Sequence, residues 1–198
     1  VSSAYTSKYT SIDDIVNFTK QNIEFIDGAT EKYLEISSYA DPNIPLLLHF
    51  EDANNATQTT DSSFAGRNVI FNGNAHIDSS YIGFLDTGAL ALDGSGDYIT
   101  IPNSPDLDFG TGDFTVESWV KFNNVSGSQN LFAWGFQNGA NFNTLYIEPD
   151  TGTFCLYIGG ASVNIYGTTI VQANTWYHVA LSRSANTFRL FVNGVQEN

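Results

Sequence analysis

The fold class this sequence predicts is an all-β sandwich of two antiparallel sheets, preceded by a short helical or extended N-terminal arm. Three observations lead there. From Leu46 onward, short apolar runs alternate with Asn, Asp, Gly and Ser, the residues of tight turns. Nothing in that region keeps the 3.6-residue rhythm of a long helix, and no solenoid repeat occurs. Residues 90–122 read LALDGSGDYITIP, a turn-rich link, and then DFGTGDFTVESWVKF. Those are strand-like runs joined by turns in which no helix would persist.

In chain order, residues 1–44 differ in texture from the rest. Ser11 is placed to N-cap a helix, with Asp13 and Asp14 in the first turn where the dipole favours negative charge. Ile12, Val16, Thr19, Ile23 and Ile26 follow a heptad-like spacing, which Tyr5, Tyr9, Thr30 and Tyr33 extend. Gly28 interrupts the stripe. Such a stripe suits either an amphipathic helix lying on a neighbouring domain or a short coiled coil joining identical chains. Asp41-Pro42-Asn43-Ile44-Pro45 then marks a boundary, because each proline disfavours helix in the residue before it. Residues 45–198 form the predicted sandwich domain. Its strands are expected at 46–51, 67–71, 74–78, 89–92, 97–101, 113–122, 129–136, 143–148, 152–158, 162–166, 176–183 and 187–193.

Side-chain alternation assigns faces to some of these strands. Phe114, Val116, Val120 and Phe122 share one face with Ser118, while Thr115, Glu117, Trp119 and Lys121 take the other. Phe188, Leu190 and Val192 point together, as core residues should. Asn193-Gly194 is a strong hairpin turn. It predicts a return strand, completed by residues of a longer polypeptide or by a strand from another chain.

Composition narrows the function. The chain has 198 residues, 42% of them hydrophobic and 14% aromatic, enough to bury a sizeable core. Seven Lys and Arg stand against 21 Asp and Glu, for a formal net charge of -14. That excludes a nucleic-acid partner, which needs clustered cations. No run of about 18 apolar residues exists, so no membrane insertion is expected. The lone Cys155 rules out a disulfide framework and reads as a buried small hydrophobe.

LLLHFED (46–52), DSSFAGRNVIFNGNAHI (61–77), residues 88–122 and NTWYHVALSRSANTFRLFVNG (174–194) occur in that order. Together they resemble a laminin-G-like domain of the concanavalin A-like lectin/glucanase superfamily, over roughly residues 44–198. The LLLHF opening and the FGTGDFT phrase are most similar to versions in tailed-bacteriophage virion proteins. The resemblance implies a jelly-roll sandwich, and it implies no single activity, since the fold hosts lectins, glycosidases, adhesion modules and inert structural domains.

Candidate sites follow from chemistry. Retaining glycosidases of this superfamily carry ExDxE-like carboxylates on one strand, and no such pattern occurs here. His49, His76 and His178 lack zinc spacing, and no GxSxG elbow is present. Calcium is the one cofactor the loops invite, because it takes oxygen ligands from Asp, Asn and carbonyls. The candidates are Asp61 with the backbone near Gly66, and Asp93 with Asp97; the alternative is that these aspartates make Asx-turns. For a glycan, Trp134, Tyr146, Tyr157 and Tyr166, beside Asn143, supply stacking faces and hydrogen-bonding groups.

The reading is a non-enzymatic virion-surface module: a tail fibre, tail adhesin or head-decorating protein. The arm would contact other virion proteins, and multiple copies would present the domain to host-surface glycans. Two alternatives stay open, a purely structural virion protein and a secreted glycoside hydrolase or its carbohydrate-binding module.

Overall fold

The computed structural model describes residues 23–25, 34–36, 41–80, 88–135, 142–159 and 163–197. The chain divides into two compact units, Val1–Ile77 with Leu90–Pro102, and Asp78–Ala89 with Asn103–Asn198.

In the first unit, β1 (Ile23–Phe25) pairs antiparallel with β2 (Leu34–Ile36), Ile23 opposite Ile36 and Phe25 opposite Leu34. Ile23, a position on the expected helical stripe, is therefore in a strand. Ile-Glu-Phe and Leu-Glu-Ile each alternate with period two, and that alternation wins locally. The other stripe positions lie outside the described residues. β3 (Ile70–Asn72), β4 (His76–Asp78), β5 (Ala89–Ala91) and β6 (Tyr98–Thr100) form two short ladders, β3 with β6 and β4 with β5. Val69, Ala75 and Ile77 are buried.

The strand expected at 46–51 does not form. Leu48 makes only an isolated bridge to Asp61. Leu47 gives its N–H to the Asp61 side chain at 3.0 Å, and Phe50 turns to φ 58°, so the ladder cannot continue.

The second unit is the sandwich. Its strands are β7 (Phe114–Lys121), β8 (Gln129–Trp134), β9 (Asn143–Glu148), β10 (Thr153–Ile158), β11 (Val163–Ile170), β12 (Trp176–Ser184), β13 (Thr187–Val192) and β14 (Val195–Gln196). They make two antiparallel four-stranded sheets, in the orders β11-β10-β9-β8 and β14-β13-β12-β7. Leu145, Ile147, Phe154 and Leu156 of one sheet meet Val179, Leu181, Leu190 and Val192 of the other in a closed core. Each such side chain stabilises the fold by about 1.5–3 kcal/mol on burial. Phe114, Val120, Phe122 and Phe188 pack against that core, on the faces alternation assigns them, and Trp119 faces outward.

Turn chemistry closes the hairpins. Ala185 and Asn186 both take positive φ between β12 and β13, and Asn193 and Gly194 do the same between β13 and β14. The return limb after Asn193-Gly194 pairs Val195 with Val192 and Gln196 with Phe191. The FGTGDF phrase also finds its reason here. Arg183 donates from Nε to the Gly112 carbonyl at 2.8 Å and from Nη2 to the Phe109 carbonyl at 2.7 Å. Its guanidinium lies over the Phe114 ring at 4.9 Å.

Candidate functional site

The β8–β11 sheet has one face in the core, and its other face carries the candidate site. Phe154 and Leu156 point into the core, so Thr153, Cys155 and Tyr157 take the opposite side of β10. In β9, Leu145 and Ile147 point inward, which turns Thr144, Tyr146 and Glu148 outward. Cross-strand register then assembles rows. Asn130, Tyr146, Cys155 and Tyr166 lie side by side across all four strands, with Ala133, Thr144 and Tyr157 in the next row. Tyr146 and Tyr166, two strands apart, flank Cys155 at a spacing of about 10 Å. Three tyrosines predicted from sequence thus share one face.

Hydrogen bonds organise this surface. The Tyr146 hydroxyl donates to Glu148 Oε2 at 2.6 Å. The Thr144 hydroxyl lies 3.2 Å from Asn130 Oδ1 and 3.1 Å from the Phe132 carbonyl oxygen. Burial, then the bond to Glu148, drives the Tyr146 pKa far above the ordinary phenol value, so its proton stays in place. Burial likewise raises the Cys155 thiol, which is fully covered. Neither group is an activated nucleophile. Glu148 is the only carboxylate in the four strands of this sheet, and a two-carboxylate hydrolysis has no second group there. The face offers ring stacking, hydroxyls and amides.

Trp134 and Asn143 do not join it. Trp134 packs against the core beside Phe109 and Phe114, both with ring centroids at 5.9 Å, and Phe132 at 5.4 Å. The cause is a bulge in β8 between Asn130 and Phe132, which shifts alternation by one residue and turns the indole inward. Asn143, directly opposite Trp134, goes to the same side. The residues missed in sequence are Asn130, Thr144, Glu148 and Cys155. Alternation in NTLYIE and TFCLYI carried that signal, once the core face of each strand is known.

The aspartates expected to bind calcium serve turns. Asp61 is buried, and its Oδ1 accepts N–H groups of Leu47 at 3.0 Å and Ser63 at 2.9 Å. Its Oδ2 accepts the Ser63 hydroxyl and the Arg67 N–H, each at 2.8 Å. The Arg67 guanidinium stands 3.8 Å away and also donates to the Pro45 carbonyl. Burial raises the Asp61 pKa, but the hydrogen bonds from Leu47, Arg67 and Ser63 outweigh it and hold the carboxyl below its ordinary value. A carboxylate filled by donors and facing a guanidinium does not fit a calcium ion. Gly66, at φ 54°, closes the turn by donating its N–H to the Ser63 carbonyl at 3.2 Å.

Asp93 and Asp97 brace one turn against another. Asp93 accepts from Ser95 N–H at 2.7 Å and Asn74 Nδ2 at 3.1 Å; Asp97 accepts from Asn74 N–H at 2.7 Å and Asp93 N–H at 2.9 Å. Every oxygen of the pair already holds a donor, and two carboxylates fall short of the roughly six to eight oxygens calcium takes. Among the described residues, no three His, Cys, Asp or Glu gather to hold a metal ion. His49 lines a polar cleft of about 190 Å³ with Phe50, Glu51, Asp52, Thr59 and Thr60. His76 Nδ1 meets the Asn74 carbonyl at 2.9 Å, and His178 Nε2 lies 3.5 Å from Glu117.

With the sandwich and its tyrosine face in place, the family follows. The laminin G family model, described as concanavalin A-like lectin/glucanases superfamily, matches residues 93–198, which span β6 to β14. The chain belongs to that superfamily. Membership points to carbohydrate binding or a structural role. No curated protein matches the chain.

Proposed function

We propose that the chain is a non-enzymatic surface module of a bacteriophage virion, in a tail fibre, tail adhesin or head-decorating protein, and that its sandwich attaches to host-surface glycans. One observation carries the glycan part: Tyr146, Tyr157 and Tyr166 stand on one sheet face with Asn130, Thr144 and Glu148 among them. Sugar rings stack on aromatic faces while hydroxyls and amides fix their orientation. The virion setting rests on the LLLHF and FGTGDFT phrases. Residues 1–44 would join the module to other virion proteins, and many copies would raise a weak contact to useful avidity.

Charge names the ligand class. Between Lys121 and Arg183 the chain contains no Lys or Arg, so the tyrosine sheet and its connections hold no cation. Sialylated, sulfated or uronate glycans would meet a surface with nothing to pair their charge, on a chain of net charge -14. The ligand is therefore a neutral glycan.

A glycan array followed by calorimetry tests this. Neutral glycans are expected to bind, their acidic counterparts to be rejected, and binding to survive chelation of calcium. Tyr166→Ala and Tyr157→Ala should each weaken binding by about tenfold without shifting the thermal midpoint. Binding that ignores both substitutions removes the tyrosine face as the site. Silence across the array leaves the structural reading.

A further inference from the structure

We infer that the outer face of β9 holds a subsite for the acetamido group of an N-acetylated sugar, with Tyr146 as its floor, Glu148 as its acceptor and Asn130 as its donor. The inference rests on glycan attachment and names the sugar class that the tyrosine face selects. Tyr146 and Glu148 share the outer face of β9, and Asn130 lies directly opposite Tyr146 on β8. Side chains two residues apart on a strand stay about 6.5 Å from each other when both stand upright. The 2.6 Å bond from the Tyr146 hydroxyl to Glu148 Oε2 requires the two to lean together. The same hydroxyl neighbours the short side chain of Cys155, opposite Tyr146 on β10. The ring is laid along the sheet with its hydroxyl pinned. It is a flat platform whose orientation is fixed before a ligand arrives.

Polar groups around that platform are sorted by kind. The Tyr146 proton is spent on Oε2, and Glu148 Oε1 holds no donor among the described residues. That leaves a pure acceptor at one border of the ring. The Thr144 hydroxyl faces Asn130 Oδ1 at 3.2 Å, which turns the Asn130 Nδ2 N–H groups the other way. Asn130 is exposed, and those N–H groups meet no acceptor among the described residues. They form a pure donor at the adjoining border. A sugar hydroxyl both donates and accepts, so it has no need of such sorting. An acetamido group does, because its N–H only donates, its carbonyl only accepts and its methyl is apolar. With the N–H on Glu148, the carbonyl on Asn130 and the methyl on the Tyr146 ring, all three are satisfied at once. The group is also uncharged, as suits a sheet without Lys or Arg.

Binding of the full 198-residue chain to an array of matched neutral pairs tests the inference. The pairs are oligosaccharides of N-acetylglucosamine beside those of glucose, and of N-acetylgalactosamine beside those of galactose. The acetamido member of a pair is expected to bind at least roughly tenfold tighter than its hydroxyl counterpart. Asn130→Asp sets an acceptor against the acetamido carbonyl. Glu148→Gln keeps an oxygen for the Tyr146 hydroxyl but sets a donor against the acetamido N–H. Each should bring the preference close to parity, whereas Tyr157→Ala weakens both members alike. Thermal melting confirms that each variant is folded. Hexoses that bind as tightly as their acetamido partners in every pair overturn the inference and leave glycan attachment standing. A preference that survives either substitution overturns it as well. Failure to bind any member of the array overturns glycan attachment and this inference with it.

Discussion

At Asp61, one buried carboxylate ties Leu47, Ser63 and Arg67 into a single loop structure. Asp61→Asn keeps the shape but puts an amide donor where the carboxylate accepts, leaving a buried N–H or O–H without an acceptor. We expect a loss of about 2–3 kcal/mol in chemical denaturation. The same residue shapes the acid limb of stability. Its folded pKa lies below the ordinary 3.8, so the unfolded chain takes up the proton first. Its contribution is fully present above 3.8 and declines as pH falls from there through the folded value. Asp61→Asn should flatten that part of an unfolding-midpoint curve between pH 7 and 3 relative to the unmodified chain. The sequence shows an aspartate in a turn-rich loop, which suits a cation and an Asx-turn equally. Which one holds depends on Leu47 and Arg67 arriving from either side, and residue type alone cannot show that.

Strands and turns were more legible. Alternation alone placed Phe114, Val120, Phe188, Leu190 and Val192 inward and Trp119 outward, because side-chain direction in a regular strand is local. It failed for Trp134, because the β8 bulge is a property of pairing with β9 and leaves no signature in QNLFAW. It failed again at 46–51, where Leu48 makes an isolated bridge to Asp61, Leu47 gives its N–H to the Asp61 side chain and Phe50 turns to φ 58°. A turn supplies the prediction at this scale. Gly73 links β3 to β4 at φ 73°, and a Cβ there would come within 2.2 Å of Asp97 Oδ1 and 2.8 Å of the Gly96 carbonyl. That carboxylate also accepts the Asn74 N–H, so moving it breaks the brace between the two turns. Gly73→Ala should cost about 2–4 kcal/mol, read from the denaturation midpoint.

Across the sandwich, the two sheets are joined by more than their apolar core. Glu197, one residue past β14, reaches β11 of the opposite sheet. There its carboxylate accepts the N–H groups of Thr168 at 2.5 Å and Thr169 at 2.6 Å, together with both hydroxyls. Burial raises its pKa, and the bonds from Thr169 and Thr168 overcome that and hold it below the ordinary value. Glu197→Ala should lower stability by about 1–3 kcal/mol and speed proteolysis after Gly194, measured by limited digestion at matched temperature. The sequence by itself determined the all-β class, the inward and outward faces of regular strands and the cation-poor stretch from 122 to 182, since all of these rest on local period or composition. Tertiary structure alone decided that Tyr146, Tyr157 and Tyr166 share a face while Trp134 does not, that Asp61 and Asp97 are held by backbone donors, and that Glu197 clasps the far sheet. Each of those depends on which strands become neighbours and in what register, and pairing partners distant in sequence are chosen by the folded core as a whole.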